Sequence, residues 1–394
     1  MQAVLMLIGL SLVGACIGAE PDFSWGNIKI RSGFGNLLSR GEKGESIRVG
    51  FLGGSITQNP KGHSGLVPGL LKQRFPKSAI SSLNAGLSST CSTSGAFRLG
   101  SQVLDKGPLD LLVVEFAVND DQDAGHSYRE CLRGMEGIVR QVLVRSPATE
   151  MIIVYFLNEG MMADLQHGKT PIPMRAHETV ANHYGITSVS VATEVAGAIK
   201  QGVYTWKDYG GVHPKSFGYQ IASKMIVGAI TGGGERSDRS RNSQRLPKPI
   251  DAFSYDAARF VGVDKAITNG NWSRGKVGRE SIPTGSIRSQ YQGYQLLRGN
   301  RPGDSLKLRF SGTAAGAFIL AGPDSGMVRT RVDGGDWQEH DLFHRFSEKL
   351  NYPRSVIFAA GLERGKHQLE LEIADVANTK SSGNAVNLLF FEVN

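Results

Sequence analysis

Three cysteines in 394 residues are too few to define a disulfide framework. Cys16 falls in an apolar leader, which leaves Cys91 and Cys131; a single bridge and two buried thiols both stay open. Metal motifs are missing as well. His177-Glu178 is followed by His183 six positions after His177, so no His-Glu-x-x-His is formed. His63, His126 and His167 have no metal-ligand spacing either. No Gly-x-Gly-x-x-Gly follows a predicted strand in the first half, which argues against a dinucleotide. No metal and no cofactor is expected. The uncharged apolar stretch Met1–Ala19 is too short for a membrane span. It resembles a secretory signal cleaved near Gly18 or Ala19. Val13-Gly-Ala-Cys16 resembles a lipobox, so a lipid anchor at Cys16 is the other reading. Export to the medium or the cell envelope is the expectation.

Acidic residues are outnumbered, 36 against 44 basic, for a formal charge of +8. Part of the excess is local. Residues 233–249 hold Arg236, Arg239, Arg241, Arg245 and Lys248 against Glu235 and Asp238, five less two, or +3. That stretch has no interleaved aromatics on which bases would stack, so it reads as a solvated linker and not a nucleic-acid arm. The rest of the charge bears on non-specific attraction of acidic polymers, not on fold.

What the chain does have is a globular balance, 40% hydrophobic and 20% charged, with 50 glycines. Its length suggests two domains. Residues 47–228 alternate short apolar runs with helical spacing. The candidate strands are Ile47–Leu52, Ala79–Leu83, Leu109–Phe116, Met151–Phe156 and Ile186–Val189. Gly65–Phe75 and Tyr128–Val144 have helical spacing. Such alternation implies a parallel sheet covered on both faces, with its site beyond the carboxyl ends of the strands. The predicted divisions are a signal over 1–19, a lead-in over 20–45, an α/β domain over 46–230, a linker over 231–249 and an all-β domain over 250–394. In the last, Ser305–Phe310, Ala317–Leu320, Val328–Val332, His367–Ile373 and Asn387–Val393 read as strands, and Asp333-Gly-Gly-Asp336 as a hairpin turn. Short strands between turn residues suggest a β-sandwich.

Four segments carry chemistry. Arg48–Thr57 is an apolar run ending in Gly53-Gly54-Ser55, which lifts a serine off a buried strand. Asn84–Thr90 follows the second strand, with Gly86 allowing close approach of a backbone N–H to a substrate oxygen. Leu111–Asp120 is a strand ending near Asn119, an amide donor. Trp206–Pro214 places His213 in a glycine-bearing loop. Acyl transfer needs a hydroxyl nucleophile, a base near neutral pKa and donors aimed at a developing oxyanion. Ser55, His213 and the set Ser55 N–H, Gly86 N–H and Asn119 Nδ2 match those needs. Ser55 read alone is equally a helix cap; His177-Glu178 reads as ordinary helix.

These four blocks, in this order across roughly residues 46–228, resemble the SGNH hydrolases, the GDSL esterase superfamily. The resemblance implies a flavodoxin-like three-layer α/β/α domain with a five-stranded parallel sheet. With the residues above, the expectation is a serine esterase that removes a small acyl group. Two departures stand out. Gly54 replaces the family's usual Asp. Gly210 occupies the position three before the histidine where the family places its Asp, so the orienting carboxylate is either Asp208, five before, or is replaced by a backbone carbonyl. Arg98, soon after Gly86, is either a contact for an acidic or sugar substrate or a surface or helix-packing residue, and Trp206 either lines the cleft beside His213 or packs against the sheet. Export and the appended β-domain, which resembles carbohydrate-associated sandwiches, point to O-acetyl groups on carbohydrate as substrate. The alternatives are a carbohydrate-binding protein with a degenerate hydrolase domain and a lipase-like acyl-ester hydrolase.

Overall fold

The computed structural model describes residues 23–232 and 246–394. The leader with Cys16 and most of the basic linker lie outside the described residues.

Seven- to four-residue apolar runs become the central strands because a parallel sheet buries both faces of each. In chain order the first sheet contains β1 (Ile28–Lys29), β2 (Ile47–Gly53), β3 (Ile80–Gly86), β4 (Leu111–Glu115), β5 (Glu150–Tyr155) and β6 (Thr187–Ser190). Every residue of β4 is buried, as are Ile47, Val49, Phe51 and Leu52 of β2. The lateral order is β1-β6-β5-β4-β2-β3. All pairings are parallel except β1 with β6. The five parallel strands thus follow the flavodoxin-like order, which reverses between β2 and β4. A ligand crevice is expected there. The five strands read from the sequence are present. The antiparallel edge strand β1 comes from the lead-in, where two residues give no periodicity to read.

Helices cover both faces. They are α1 (Gly35–Glu42), α2 (Ser55–Gln58), α3 (His63–Arg74), α4 (Ser92–Gln102), α5 (Tyr128–Arg145), α6 (Glu159–Gln166), α7 (Ile172–His183), α8 (Val191–Lys200), α9 (Trp206–Tyr209) and α10 (Ser216–Gly232). α4, α5 and α7 pack side by side, and α3, α10 and α8 form a second group. Helix α5 starts at a capping box, Ser127 with Glu130, and buries one face including Met135, Ile138 and Val142.

The second domain is antiparallel: β7 (Arg259–Gly262), β8 (Ile267–Asn269), β9 (Ser273–Lys276), β10 (Gln295–Gly299), β11 (Ser305–Ala321), β12 (Met327–Val332), β13 (Gln338–Asp341), β14 (Tyr352–Ile373) and β15 (Val386–Val393). The sandwich expected from the strand runs is present, with one difference. Ser305–Phe310 and Ala317–Leu320 are not two strands but the ends of one, β11. Register shifts at Gly312/Ala314 and Ala315/Gly316 let it bend without breaking. The expected hairpin joins β12 to β13, with Asp333 and Gly334 at φ 54° and 75°.

The domains share a long seam. Residues 246–258 lie along α5: Asp251 takes Arg129 and Arg133, Asp256 takes Arg140, and Tyr255 packs on Phe97. Ser94 Oγ meets Ser355 Oγ at 2.7 Å. Ser355 Oγ in turn donates to Glu392 at 2.5 Å, a carboxyl that burial pushes well above its ordinary value.

Candidate active site

The site is assembled at the crevice between the ends of β2 and β4. Strand β2 stops at Gly53, and Gly54 turns the chain so that Ser55 becomes the first residue of α2, half-buried. Ser55 is not the cap of that helix; Gly54 holds that position, and no side chain caps it. Its hydroxyl is free for other work. Oγ lies 2.8 Å from Nε2 of His213. The bond spans 158 residues of chain.

The turn before Ser55 is anchored from below. Arg98 is completely buried, and its guanidinium donates to the carbonyls of Gly53 (2.8 Å) and Ala85 (2.5 Å), and to Gln102 Oε1 (2.8 Å). Burial lowers its pKa to about 10. This rules out the reading of Arg98 as a substrate contact and favours packing: it has no exposed surface and grips carbonyls at the ends of two strands instead. Beside it, Thr57 Oγ1 donates to Glu115 at 2.9 Å. Glu115 ends β4 with no exposure, and burial pushes its carboxyl up to about 7 in spite of hydrogen bonds from Thr57 and the Gly54 N–H.

Asn119 opens a single π-helical turn, Asn119–Asp123, just past β4. Its Nδ2 donates to Asp123 Oδ2. Its Oδ1 is buried with no partner and lies against Gly54, where a Cβ would fall 2.0 Å from it. Gly54 therefore does what the family's usual Asp would not: it lets the amide rest directly on the backbone beside Ser55. Gly86 behaves differently from expectation. Its N–H donates to Asn84 Oδ1 at 2.8 Å. The close approach it permits is to α2, since a Cβ there would lie 2.3 Å from the Gln58 nitrogen.

His213 occupies the loop between α9 and α10 and is exposed. Gly210 ends α9 in the left-handed region at φ 113°, and Lys215 N–H closes back to the Tyr209 carbonyl at 2.7 Å. Asp208 does not reach the ring. Its carboxylate accepts from Thr205 Oγ1 (2.6 Å) and Thr205 N–H (3.0 Å), completing a capping box at the start of α9. Those bonds hold its pKa below the ordinary range. Asp208 is not the group that orients the ring in this arrangement, because the helix start claims its carboxylate. No hydrogen bond joins His213 Nδ1 to any group among the described residues. Trp206 stacks on Tyr209 at 5.7 Å and packs against the first-domain core, so its contacts are structural.

Behind Asn119 lies a cluster that spacing along the chain does not reveal. Cys91 Sγ, an Asp120 oxygen and a His126 ring nitrogen all lie within 4.8 Å of one another. These are metal-ligand types, but the Asp120 carboxylate already accepts from Ser92 N–H (2.7 Å), Ser92 Oγ (2.7 Å) and His177 Nε2 (2.8 Å). Those bonds tie the start of α4 and the middle of α7 to the Asn119 turn. Burial disfavours charge on both Cys91 and His126. Their mutual attraction prevails, drawing the thiol below its ordinary value and raising the imidazole to about 9. Cys91 and Cys131 are free, buried thiols. His177 and Glu178 sit on α7, where Glu178 binds Lys29 at 2.8 Å and Arg31. His63 is a buried neutral ring between Phe51, Phe156 and Tyr219.

Residues 51–221 match the model of the GDSL-like lipase/acylhydrolase family. No curated protein matches the chain. Among solved structures, a two-domain esterase (CEX) active on acetylated mannans, co-crystallized with mannopentaose, is similar at 18% identity. Its TM-score is 0.74, over 94% of this chain and 98% of that one. A second structure of a two-domain esterase (CEX) active on acetylated mannans gives 18% identity and a TM-score of 0.72, over 91% and 94%. At that identity the likeness is one of fold, and it extends through both domains. Among the described residues no helix is long and apolar enough to cross a membrane.

Proposed function

The first domain belongs to the GDSL-like lipase/acylhydrolase family, and on that premise we propose that the protein is an exported serine esterase that removes O-acetyl groups from carbohydrate. The observation that carries the reading is the 2.8 Å approach of His213 Nε2 to Ser55 Oγ at the β2/β4 crevice.

In the proposed reaction Ser55 Oγ attacks the ester carbonyl while His213 Nε2 takes its proton. The developing oxyanion is met by Ser55 N–H, at the first turn of α2, and by Asn119 Nδ2. Gly86 N–H is occupied by Asn84 and joins only on exchange of that bond. His213 then protonates the leaving alcohol, and water attacks the acyl-enzyme by the reverse path. With Asp208 committed to its helix cap, the working unit is a Ser55–His213 dyad.

Carbohydrate as the alcohol is supported by the fold shared, domain for domain, with the mannan-active two-domain esterase, and by the apolar leader that reads as an export signal. Labelling with a fluorophosphonate tests the enzyme reading directly. The folded protein is expected to label at Ser55, to hydrolyse p-nitrophenyl acetate, and to release acetate from acetylated mannan oligosaccharides faster than longer acyl chains from model esters. Ser55→Ala is expected to abolish both labelling and turnover. Folded protein that neither labels nor turns over would instead favour a carbohydrate-binding module, the reading to which the missing carboxylate on His213 lends weight.

A further inference from the structure

The second domain does not merely lie beside the site. Tyr352, the first residue of β14, donates its hydroxyl to Asp123 Oδ1 at 2.6 Å, and the other oxygen of that carboxylate receives the Asn119 amide. We propose that Tyr352 is a positioning residue for Asn119, acting through Asp123, so that the second domain sets the geometry of the oxyanion donor. The inference rests on the reading of Asn119 as that donor.

An asparagine amide can sit in two orientations that differ little in shape, and its hydrogen-bond partners decide between them. Here Oδ1 of the amide lies against the backbone of Gly54 and is buried with no hydrogen-bond donor. Nδ2 meets Asp123, an acceptor. Exchanging Oδ1 for Nδ2 would set two acceptors against each other. Asp123 therefore fixes the orientation in which Nδ2 keeps a second N–H, and no protein acceptor among the described residues takes it. The carboxylate must itself be held, since it ends an exposed-side turn of one domain. Its ties are to the other domain. Tyr352 fills Oδ1, and His344 Nε2 donates to the Asp123 carbonyl at 2.8 Å. Arg345 donates to the carbonyl of Gln122.

Tyr352 is braced in turn. It stacks on His344 at 4.3 Å with planes 11° apart, and Arg288 lies over its ring at 5.9 Å. Asn351 ties the start of β14 to Thr284 at 2.7 Å. Arg288 also crosses the seam, donating to Ser89 Oγ at 2.9 Å and to the Ser88 carbonyl at 3.3 Å. Ser89 holds a positive φ of 66°. One cluster of second-domain side chains thus grips both loops that flank Ser55, the one after β3 and the one after β4.

The test is a double-mutant cycle on p-nitrophenyl acetate, a substrate too small to need a glycan contact. Tyr352→Phe removes a single oxygen. It is expected to lower kcat on the order of tenfold with KM unchanged, less than the roughly 10²–10³ expected of Asn119→Ala. In the Asn119→Ala background, Tyr352→Phe should cost nothing further. Asp123→Ala should reproduce the loss and the same coupling. Thermal unfolding is followed in each variant, so that kcat is read below the transition. An unchanged kcat in Tyr352→Phe beside an impaired Asn119→Ala overturns the inference alone. The same factor in both backgrounds does so too. Wild-type kcat in Asn119→Ala removes the oxyanion reading itself and the inference with it.

Discussion

Ser55 follows a strand whose last carbonyl is gripped by a fully buried guanidinium, whereas His213 sits in an exposed loop with one ring nitrogen unpartnered among the described residues. The serine end is over-determined: Arg98 holds Gly53, Glu115 holds Thr57, and Asn119 presses on Gly54. The histidine end is held by a short helix, two left-handed glycines and one backbone closure. The contrast suits the proposed chemistry. An oxyanion site must keep its donors still through the reaction. The base must serve two oxygens in turn, first the serine and then the leaving alcohol.

The contrast can be broken most severely from below. Arg98→Met keeps much of the buried stem but leaves the Gly53 and Ala85 carbonyls without donors. A loss of roughly 3–5 kcal/mol in unfolding free energy is expected, read by denaturant titration. A loss under about 1 kcal/mol would mean that the strand ends do not depend on it.

Next in size is a pH effect at Glu115. The folded protein holds its proton up to about 7, while the unfolded chain releases it near 4.5. Between those values the folded state binds more protons, so the neutral-carboxyl contribution is complete below 4.5 and is lost as pH rises through 7. The total is roughly 3 kcal/mol, falling with rising pH. Glu115→Gln should flatten that part of the stability profile, measured as denaturant midpoints across the window; an unaltered slope would assign it to Glu392 or to other groups.

The smallest effect sharpens the loose side. Asp208→Ala is expected to leave kcat within about twofold of wild type, because an exposed cap shapes the helix end and not the reacting atoms. A drop of 10²-fold or more on p-nitrophenyl acetate would mean that Asp208 leaves its cap to orient His213 in the working enzyme.

Much of the first domain was legible because buried parallel strands are written as unbroken apolar runs, and Leu111–Glu115 or Met151–Tyr155 admit no other reading. Bent β11 was not, since the Gly and Ala residues of 312–316 signal a break as readily as a bulge. At the site, the four blocks pointed to Ser55, His213 and Asn119, and the structure gathers all three around one crevice. It commits Asp208 to a helix cap and Arg98 to two buried strand ends. Each of those two placements has a local cause. Arg98 was a candidate ligand contact because it follows soon after Gly86, and nothing in the one-dimensional pattern says that two strand ends need a donor. Asp208 was assigned by proximity, while Thr205, three residues before it, was already the start of a capping box. Tyr352 lies 229 residues from Asp123, and no pattern marks a contact that a second domain supplies.

The strap along α5 bears on how the chain matures during synthesis. Glu136 is wholly buried, and its carboxylate is met by Tyr184 (2.7 Å) and by the backbone N–H groups of Ile250 (2.6 Å) and Asp251 (3.0 Å). Two of those three donors are synthesised after every strand and helix of the first domain. Until they arrive, an acid at the middle of α5 lacks two of its three donors, and the face that later receives Tyr255 stands open. A nascent chain halted before residue 250 is therefore an unfinished client for chaperones, although its sheet is already complete.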